Sequence, residues 1–327
     1  VGQAEIEQYL QRCASEFGLD PHMQFNTRIV SADYQADGHW LLQSEGGETF
    51  EYDVIINAMG NQHTALYPDV PGIDNFKGDS WHSTRWNHDV PLAGKKVVVI
   101  GSAAAAVQIV PEIAKEAAHL TVLQRSPNWI MERNRKTYTD NKRAWFKRLP
   151  ILMKITRHVQ GMMMGFVDQA ATIGHKRMGQ FENAATKYLH RIIPAGPLRD
   201  ALTPDTPYGC KRGLVSDDFY PALMRDNVEL VADGLAEVKA NSIVTSGGQE
   251  IEADVIIYCT GYRILDYDRI AVTGLENKSL ADTMTAAPEG YKGIAAPDFP
   301  NYFFAVGPNG LVLNVSFFIT VEKNLET

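Results

Sequence analysis

The stretch from Lys95 to Ser126 constrains this chain more than any other. Lys95-Lys96-Val97-Val98-Val99-Ile100 leads into Gly101-Ser102-Ala103-Ala104-Ala105-Ala106-Val107-Gln108, and Leu120-Thr121-Val122-Leu123-Gln124-Arg125-Ser126 follows. The order is strand, tight turn, helix, strand. Four consecutive apolar β-formers suit a strand buried on both faces of a parallel sheet. Gly101 lets the backbone turn sharply. The alanine run keeps the helix start narrow, so its backbone N–H groups can approach a diphosphate. The pattern is G-x-A-x-x-A rather than G-x-G-x-x-G, and Ala103 carries a methyl where the fingerprint usually has none. An Ala-rich crossover helix of any α/β protein would share this much. The second strand ends in Arg125-Ser126, however. An acid there would bind the 2′-hydroxyl of NAD, whereas an Arg accommodates the 2′-phosphate of NADP.

The chain has 327 residues, a length that fits two domains. Its net charge of −8 comes without a long basic run, which argues against nucleic acid as a partner. Cys13, Cys210 and Cys259 are far apart, and no C-x-x-C is present. That excludes a redox dithiol or zinc framework and predicts a reduced, cytoplasmic setting with no metal. No apolar run reaches the ~18–20 residues of a membrane span. The nearest, Phe303 to Ile319, is broken by Pro308, Asn309, Gly310 and Asn314. No membrane partner is expected. The chain opens at Val1 in one helical pattern and closes in another, and it reads as a piece of something longer.

Ile6, Tyr9, Leu10, Cys13 and Phe17 recur at helical spacing before Gly18. Strands are predicted from Met23 to Ala32, from His39 to Ser44 after the Asp37-Gly38 turn, and from Thr49 to Ala58 after Gly46-Gly47. Helices dominate from Arg133 to Arg199. Within them Trp145, Phe146, Leu149 and Leu152 share a face, and Met162, Met163, Met164, Phe166 and Val167 form an apolar patch expected to pack as core. The other reading makes the patch part of an apolar substrate pocket. Short strands follow at 227–232 and 235–239, then a hairpin around Gly247-Gly248. Asp254-Val255-Ile256-Ile257-Tyr258-Cys259-Thr260-Gly261 repeats the pattern of Asp53-Val54-Ile55-Ile56-Asn57-Ala58-Met59-Gly60.

Between the two comes Phe76-Lys77-Gly78-Asp79-Ser80-Trp81-His82-Ser83-Thr84-Arg85-Trp86. It is a complete F-x-G-x-x-x-H-x-x-x-W just ahead of the nucleotide-binding strand. With Phe76, Gly78, His82 and Trp86 in place, the chain resembles the Baeyer–Villiger monooxygenases, class B flavoproteins with two dinucleotide-binding domains. N- and S-oxygenating relatives end this motif in Tyr or Phe, so Trp86 favours the Baeyer–Villiger branch. Asn87 departs from the Pro or Asp usual there.

The resemblance implies an α/β fold: a partial FAD-binding domain plus a Rossmann-like NADP domain with a helical insertion. Residues 1–90 would be the remainder of the FAD domain and a linker with the motif. Residues 91–132 and 201–262 would form the NADP domain, 133–200 the insertion, and 263–327 the return to the FAD domain. NADP would contact Gly101, Ser102, Ala103, Ala104, Ala105, Ala106, Gln108, Arg125, Ser126 and Lys211. FAD would contact the backbone near Ile29. His82 would couple the cofactor domains. Arg212, beside Lys211 in Tyr208-Gly209-Cys210-Lys211-Arg212-Gly213, would be the catalytic cation. The family's first G-x-G-x-x-G unit has no counterpart in this sequence. The implied reaction inserts one atom of O2 into a small-molecule ketone to give an ester or lactone. The alternatives are an N- or S-oxygenase and an inactive NADP-binding fragment. None of these motifs specifies the ketone, the regiochemistry or the oligomeric state.

Overall fold

The structure, a computed structural model, describes residues 2–133, 137–172, 174–264, 266–310 and 317–326. The chain forms two compact units, and elements are numbered in chain order. The first comprises 1–59, 265–311 and 317–327. It opens with helix α1 (Gln3–Glu16), whose exit is made by Gly18 at a φ of +62°. Strands β1 (Ile29–Tyr34), β2 (Trp40–Ser44) and β3 (Thr49–Tyr52) form an antiparallel meander. Gly38 takes a φ of +100° at the first turn and Gly47 a φ of +85° at the second.

The run expected as one strand from Thr49 to Ala58 breaks in two. Strand β3 pairs with β2, while β4 (Ile55–Asn57) pairs in parallel with β16 (Tyr302–Phe304). The strand expected from Met23 begins only at Ile29, and Asn26, at a φ of +56°, breaks the extended run ahead of it. Strand β15 (Ala271–Thr273) adds to β1 in parallel. Helices α8 (Leu280–Ala286) and α9 (Phe317–Leu325) complete this unit. Of the helical pattern in which the chain closes, Phe317–Leu325 is described, and 311–316 lie outside the described residues. Fully buried Trp40 anchors the core, its Nε1–H donating to the Pro300 carbonyl at 2.9 Å.

The second unit comprises 60–264. Its centre is a five-stranded all-parallel sheet in the order β10-β7-β6-β14-β5. These strands are β5 (Asp79–His82), β6 (Lys96–Ile100), β7 (His119–Leu123), β10 (Val228–Val231) and β14 (Val255–Tyr258). Helix α2 (Ala104–Ile113) carries the crossover from β6 to β7 and buries Ala106, Val107, Val110 and Ile113 on the sheet. Strand order reverses between β6 and β14, so the carboxyl edge opens there.

Asp254 aligns the opposite edge. Its carboxylate accepts from the Lys96 N–H at 2.8 Å and its carbonyl from the Asp79 N–H at 3.2 Å. The strands then end level, with Leu123, Ile100, Tyr258 and His82 in register.

The stretch 76–87, expected within a linker, contributes β5 to this sheet. Its pairing with β14 binds it into the second unit, whose first residue is Gly60. Gly78 is required there, since a Cβ would lie 2.4 Å from the Asp254 carbonyl oxygen.

Strand β8 (Ile130–Met131) pairs with β9 (Leu214–Val215). Between them lie α3 (Asp140–Arg148), α4 (Ile151–Ala171), α5 (Lys176–Ile192) and α6 (Pro197–Leu202). Helix α7 (Phe219–Leu223) returns the chain to β10. Strands β11 (Leu235–Val238), β12 (Ser242–Thr245) and β13 (Glu250–Glu252) make an antiparallel meander before β14. Helix α5 buries Ala185, Tyr188 and Leu189, the last two in the main core.

The patch on α4 does not pack as core. Met162 and Met163 are 54% and 56% exposed, and Phe166 is 49% exposed. Helix α4 packs chiefly against α5 and α3, which cover one stripe of it and leave the methionines outside.

Candidate functional site

At the carboxyl edge of the parallel sheet, where strand order reverses, lies a cleft of about 530 Å³. Its floor is made by the ends of β6, β7 and β14: Ile100-Gly101, Leu123 and Cys259-Thr260. The level strand ends account for the flat floor. Gly101 has a φ of +107°, and a Cβ on it would stand 2.6 Å from the Cys259 carbonyl oxygen. Any side chain there would therefore strain the turn and push β6 from β14. Gly101 is thus a packing requirement as well as a turn.

Helix α2 begins at the cleft. Its N-cap is Ala103, which offers no side-chain acceptor to the first N–H groups. Those donors stay available to an anion, and the helix dipole adds to the attraction. Ser102 is buried. The Asn128 side chain donates to the Ser102 carbonyl at 3.2 Å, tying the β7 exit to the turn.

On the β7 side the wall is cationic. The Lys211 ammonium donates to Ser126 Oγ at 2.7 Å and to the Pro127 carbonyl at 3.0 Å. Ser126 Oγ accepts from Lys211, which leaves its own O–H to donate elsewhere. Arg125 is exposed at the cleft and carries a second positive charge. Asp233 closes this side. Its carboxylate accepts from the Gly234 and Gly247 N–H groups at 2.7 Å each. The Thr245 hydroxyl and these two amides hold its carboxyl below the usual carboxylate range. The exit of β10 is thereby fastened to the β12–β13 turn.

Gly101, Ser102, Ala103, Arg125, Ser126 and Lys211 thus meet in one cleft. The other sequence-derived residues lie elsewhere. Ala104 and Ala105 are half-buried in the first turn of α2 against the core, and Ala106 is fully buried. Gln108 is exposed and donates to the Ala104 carbonyl of its own helix at 2.8 Å. Arg212 is exposed outside the cleft wall. Ile29 is on β1 in the first unit. Phe76 packs against the Val98–Ile256 cluster, and Trp86 stands edge-on to Trp81 at 5.6 Å.

His82 ends β5 and is fully buried. Its Nδ1 accepts from the Thr84 N–H at 3.3 Å, which assigns the ring proton to Nε2. Burial holds this imidazole below its usual range, an effect partly offset by the Gly261 backbone.

Sequence reasoning missed Asp233, Ser246 and the segment Leu66-Tyr67-Pro68, all of which line the cleft. Gly247-Gly248 marked a hairpin, but nothing in it said that Ser246 beside it and Asp233 between the strands 227–232 and 235–239 face the same sheet edge.

A family model described as flavin-binding monooxygenase-like matches residues 1–271. The chain is 36% identical over 329 residues to a Baeyer-Villiger monooxygenase of Streptomyces coelicolor, covering 99% of this chain and 63% of that protein. It is 35% identical over 330 residues to a Baeyer-Villiger monooxygenase of Pseudomonas aeruginosa, covering 99% of this chain and 62% of that one. The chain thus spans less than two thirds of the length of these relatives. Among solved structures, OTEMO in complex with FAD and NADP aligns with a TM-score of 0.88 at 27% identity, over 100% of this chain and 68% of that one. Cyclohexanone monooxygenase from Rhodococcus sp. Phi1 bound to NADP+ aligns with a TM-score of 0.83 at 27% identity, over 100% and 68%. Among the described residues, no helix is long and apolar enough to cross a membrane.

Proposed function

The chain belongs to the flavin-binding monooxygenase-like family, and on that premise we propose that it carries the NADP site of an NADPH- and FAD-dependent Baeyer–Villiger monooxygenase. The observation that carries this reading is the meeting of an uncapped helix start, the Gly101 turn and the Arg125–Ser126–Lys211 wall at one sheet edge.

These residues fit NADP. The α2 N–H groups receive the diphosphate. Lys211, Arg125 and the free Ser126 O–H receive the 2′-phosphate, with charge from two cations and a donor from the serine. The Ala103 methyl leaves the backbone approach open, since it is exposed at the helix start.

The fit to FAD is partial. Ile29 is the one FAD contact carried over to this chain, and the first unit holds no second strand–glycine turn–helix among its described residues. The flavin, when bound in the whole protein, supplies the oxygen-transfer chemistry. The residues of this chain position the hydride donor. Arg212 contributes a fixed cation toward negative charge on a reacting oxygen, without giving up a proton. The substrate class is a small-molecule ketone, the second substrate is O2, and the product is an ester or lactone.

Calorimetry with NADP+ and NAD+ tests the cleft. The wild-type chain should prefer NADP+, and Lys211→Ala should reduce that preference by about tenfold or more. Equal affinity of the wild type for the two nucleotides would overturn the reading. In the whole enzyme, Arg212→Ala should retain flavin reduction by NADPH and lower ester formation by about 10²–10³. Product analysis with a ketone beside a sulfide separates ketone oxygenation from heteroatom oxygenation.

A further inference from the structure

The wall of the cleft opposite Arg125 is made by a segment that the NADP reading leaves without a role. Residues 64–67 are strapped to 260–263. The Leu66 N–H donates to the Gly261 carbonyl and the Arg263 N–H to the Thr64 carbonyl, each at 3.0 Å. The Thr260 hydroxyl donates to the Leu66 carbonyl. Ala65 and Tyr262 form an antiparallel bridge. The strap sets Tyr67 at the mouth of the cleft, 45% exposed.

The inner edge of Tyr67 meets two buried polar residues. Its ring stands edge-on to His82 at 5.6 Å and to Tyr258 at 5.3 Å. His82 and Tyr258 are register partners on β5 and β14. His82 Nε2 and the Tyr258 hydroxyl are buried, and neither has a hydrogen-bond partner of proper geometry. Unpaired buried polar atoms are costly and rare in folded proteins. Here these two register partners, one on each of two adjacent strands, pack their rings against the same tyrosine.

Strand order supplies the direction. Arg125 and Lys211 lie on the β7 side of β6, whereas β14 and β5 lie on the other. A dinucleotide seated with its diphosphate at Gly101 crosses the reversal point. With its 2′-phosphate on the β7 side, its nicotinamide half runs toward β14 and the strap.

We propose that Tyr67 is a positioning residue: it closes the β14 side of the cleft against the nicotinamide half of NADP, and its ring couples that half to the buried His82–Tyr258 pair. The proposal rests on the NADP reading of the cleft. It gives the motif histidine a route to the nucleotide through one side chain, with no exposure of the imidazole.

The test uses two ligands on the chain as it stands, NADP+ and adenosine 2′,5′-bisphosphate, which has the 2′-phosphate but no nicotinamide. Calorimetry should show that Tyr67→Ala weakens NADP+ about three- to tenfold and leaves the bisphosphate within about twofold. Tyr67→Phe, which keeps the ring, should bind both as the wild type does. Histidine-labelled NMR of the wild type should show His82 ring signals moving with NADP+ and staying still with the bisphosphate. Equal weakening of both ligands would make Tyr67 merely structural and overturn the inference, as would unchanged affinity for NADP+. If Tyr67→Ala does not fold, Tyr67→Leu, which keeps bulk without the aromatic edge, is judged by the same criteria. A wild-type chain that binds neither ligand overturns the NADP reading and this inference with it. Binding of both ligands by the wild type isolates failure to Tyr67 alone.

Discussion

Two strands of this molecule share the run Asp-Val-Ile-Ile and meet different fates. In the second unit Asp254 leads into β14, and Val255, Ile256 and Ile257 are all fully buried. In the first unit Asp53 leads into β4, yet Val54 is 50% and Ile56 54% exposed. Each run follows a three-stranded antiparallel meander, and each ends two or more residues later in a glycine with positive φ, Gly261 and Gly60. The neighbours differ. Strand β14 has β6 on one side and β5 on the other, with helix α2 over the sheet. Among the described residues, strand β4 pairs with β16 alone. Burial is a property of what a strand is placed between, and the same four residues serve either environment.

The comparison is open to direct attack. Ile257→Ala should cost about 2–5 kcal/mol, because both faces of the sheet close around that position. Ile56→Ala should stay within about 0.5 kcal/mol in this chain. Urea unfolding of the two variants reads the difference, and similar shifts in both would break the contrast.

A smaller effect sharpens it from the other side. Gly60 and Gly261 sit at φ of +72° and +88°, with open space where a Cβ would go. Alanine at either should cost about 1–2 kcal/mol from backbone strain alone. Equal costs would show that the two runs share a backbone while differing in surroundings. A much larger loss at Gly261 would tie its conformation to the buried sheet.

The smallest effect is chemical. Cys259 follows β14, and burial pushes its thiol up to about 12. At pH 8 roughly one such thiol in ten thousand is ionised, so a disulfide reagent should leave Cys259 untouched in the folded chain. Exposed Cys210 should react at once. Ala58 is the exposed counterpart of Cys259 after β4, and a cysteine placed there by Ala58→Cys should also react. Rapid modification of Cys259 under native conditions would show that the sheet end opens.

The same contrast explains what was legible beforehand. The turn at Gly101, the hairpins at Asp37-Gly38 and Gly247-Gly248, and the second Asp-Val-Ile-Ile strand are local, and local chemistry marks them. The cleft is partly local as well, since Gly101–Ala103 and Arg125–Ser126 border one crossover. Lys211 was reached only through family resemblance. Tyr67 and Asp233 were not reached, because strand order alone brings residues 67, 126, 211 and 233 to one sheet edge. The strand within 76–87 was not legible for a related reason: its four residues gain their place from β14, far along the chain. The methionines of α4 misled because an apolar run states a preference for cover and does not supply it.

Asp254 shows how the molecule keeps its working edge true. Parallel strands joined by long crossovers have no tight turn to fix their alignment. Here one residue holds the starts of β5 and β6 level with its own strand, at the end of the sheet remote from the cleft. It acts as a datum from which the strands are measured off. Calibration is thereby separated from use. The loops at the far edge can change in length and chemistry through evolution or redesign, while the row Leu123, Ile100, Tyr258 and His82 remains flush.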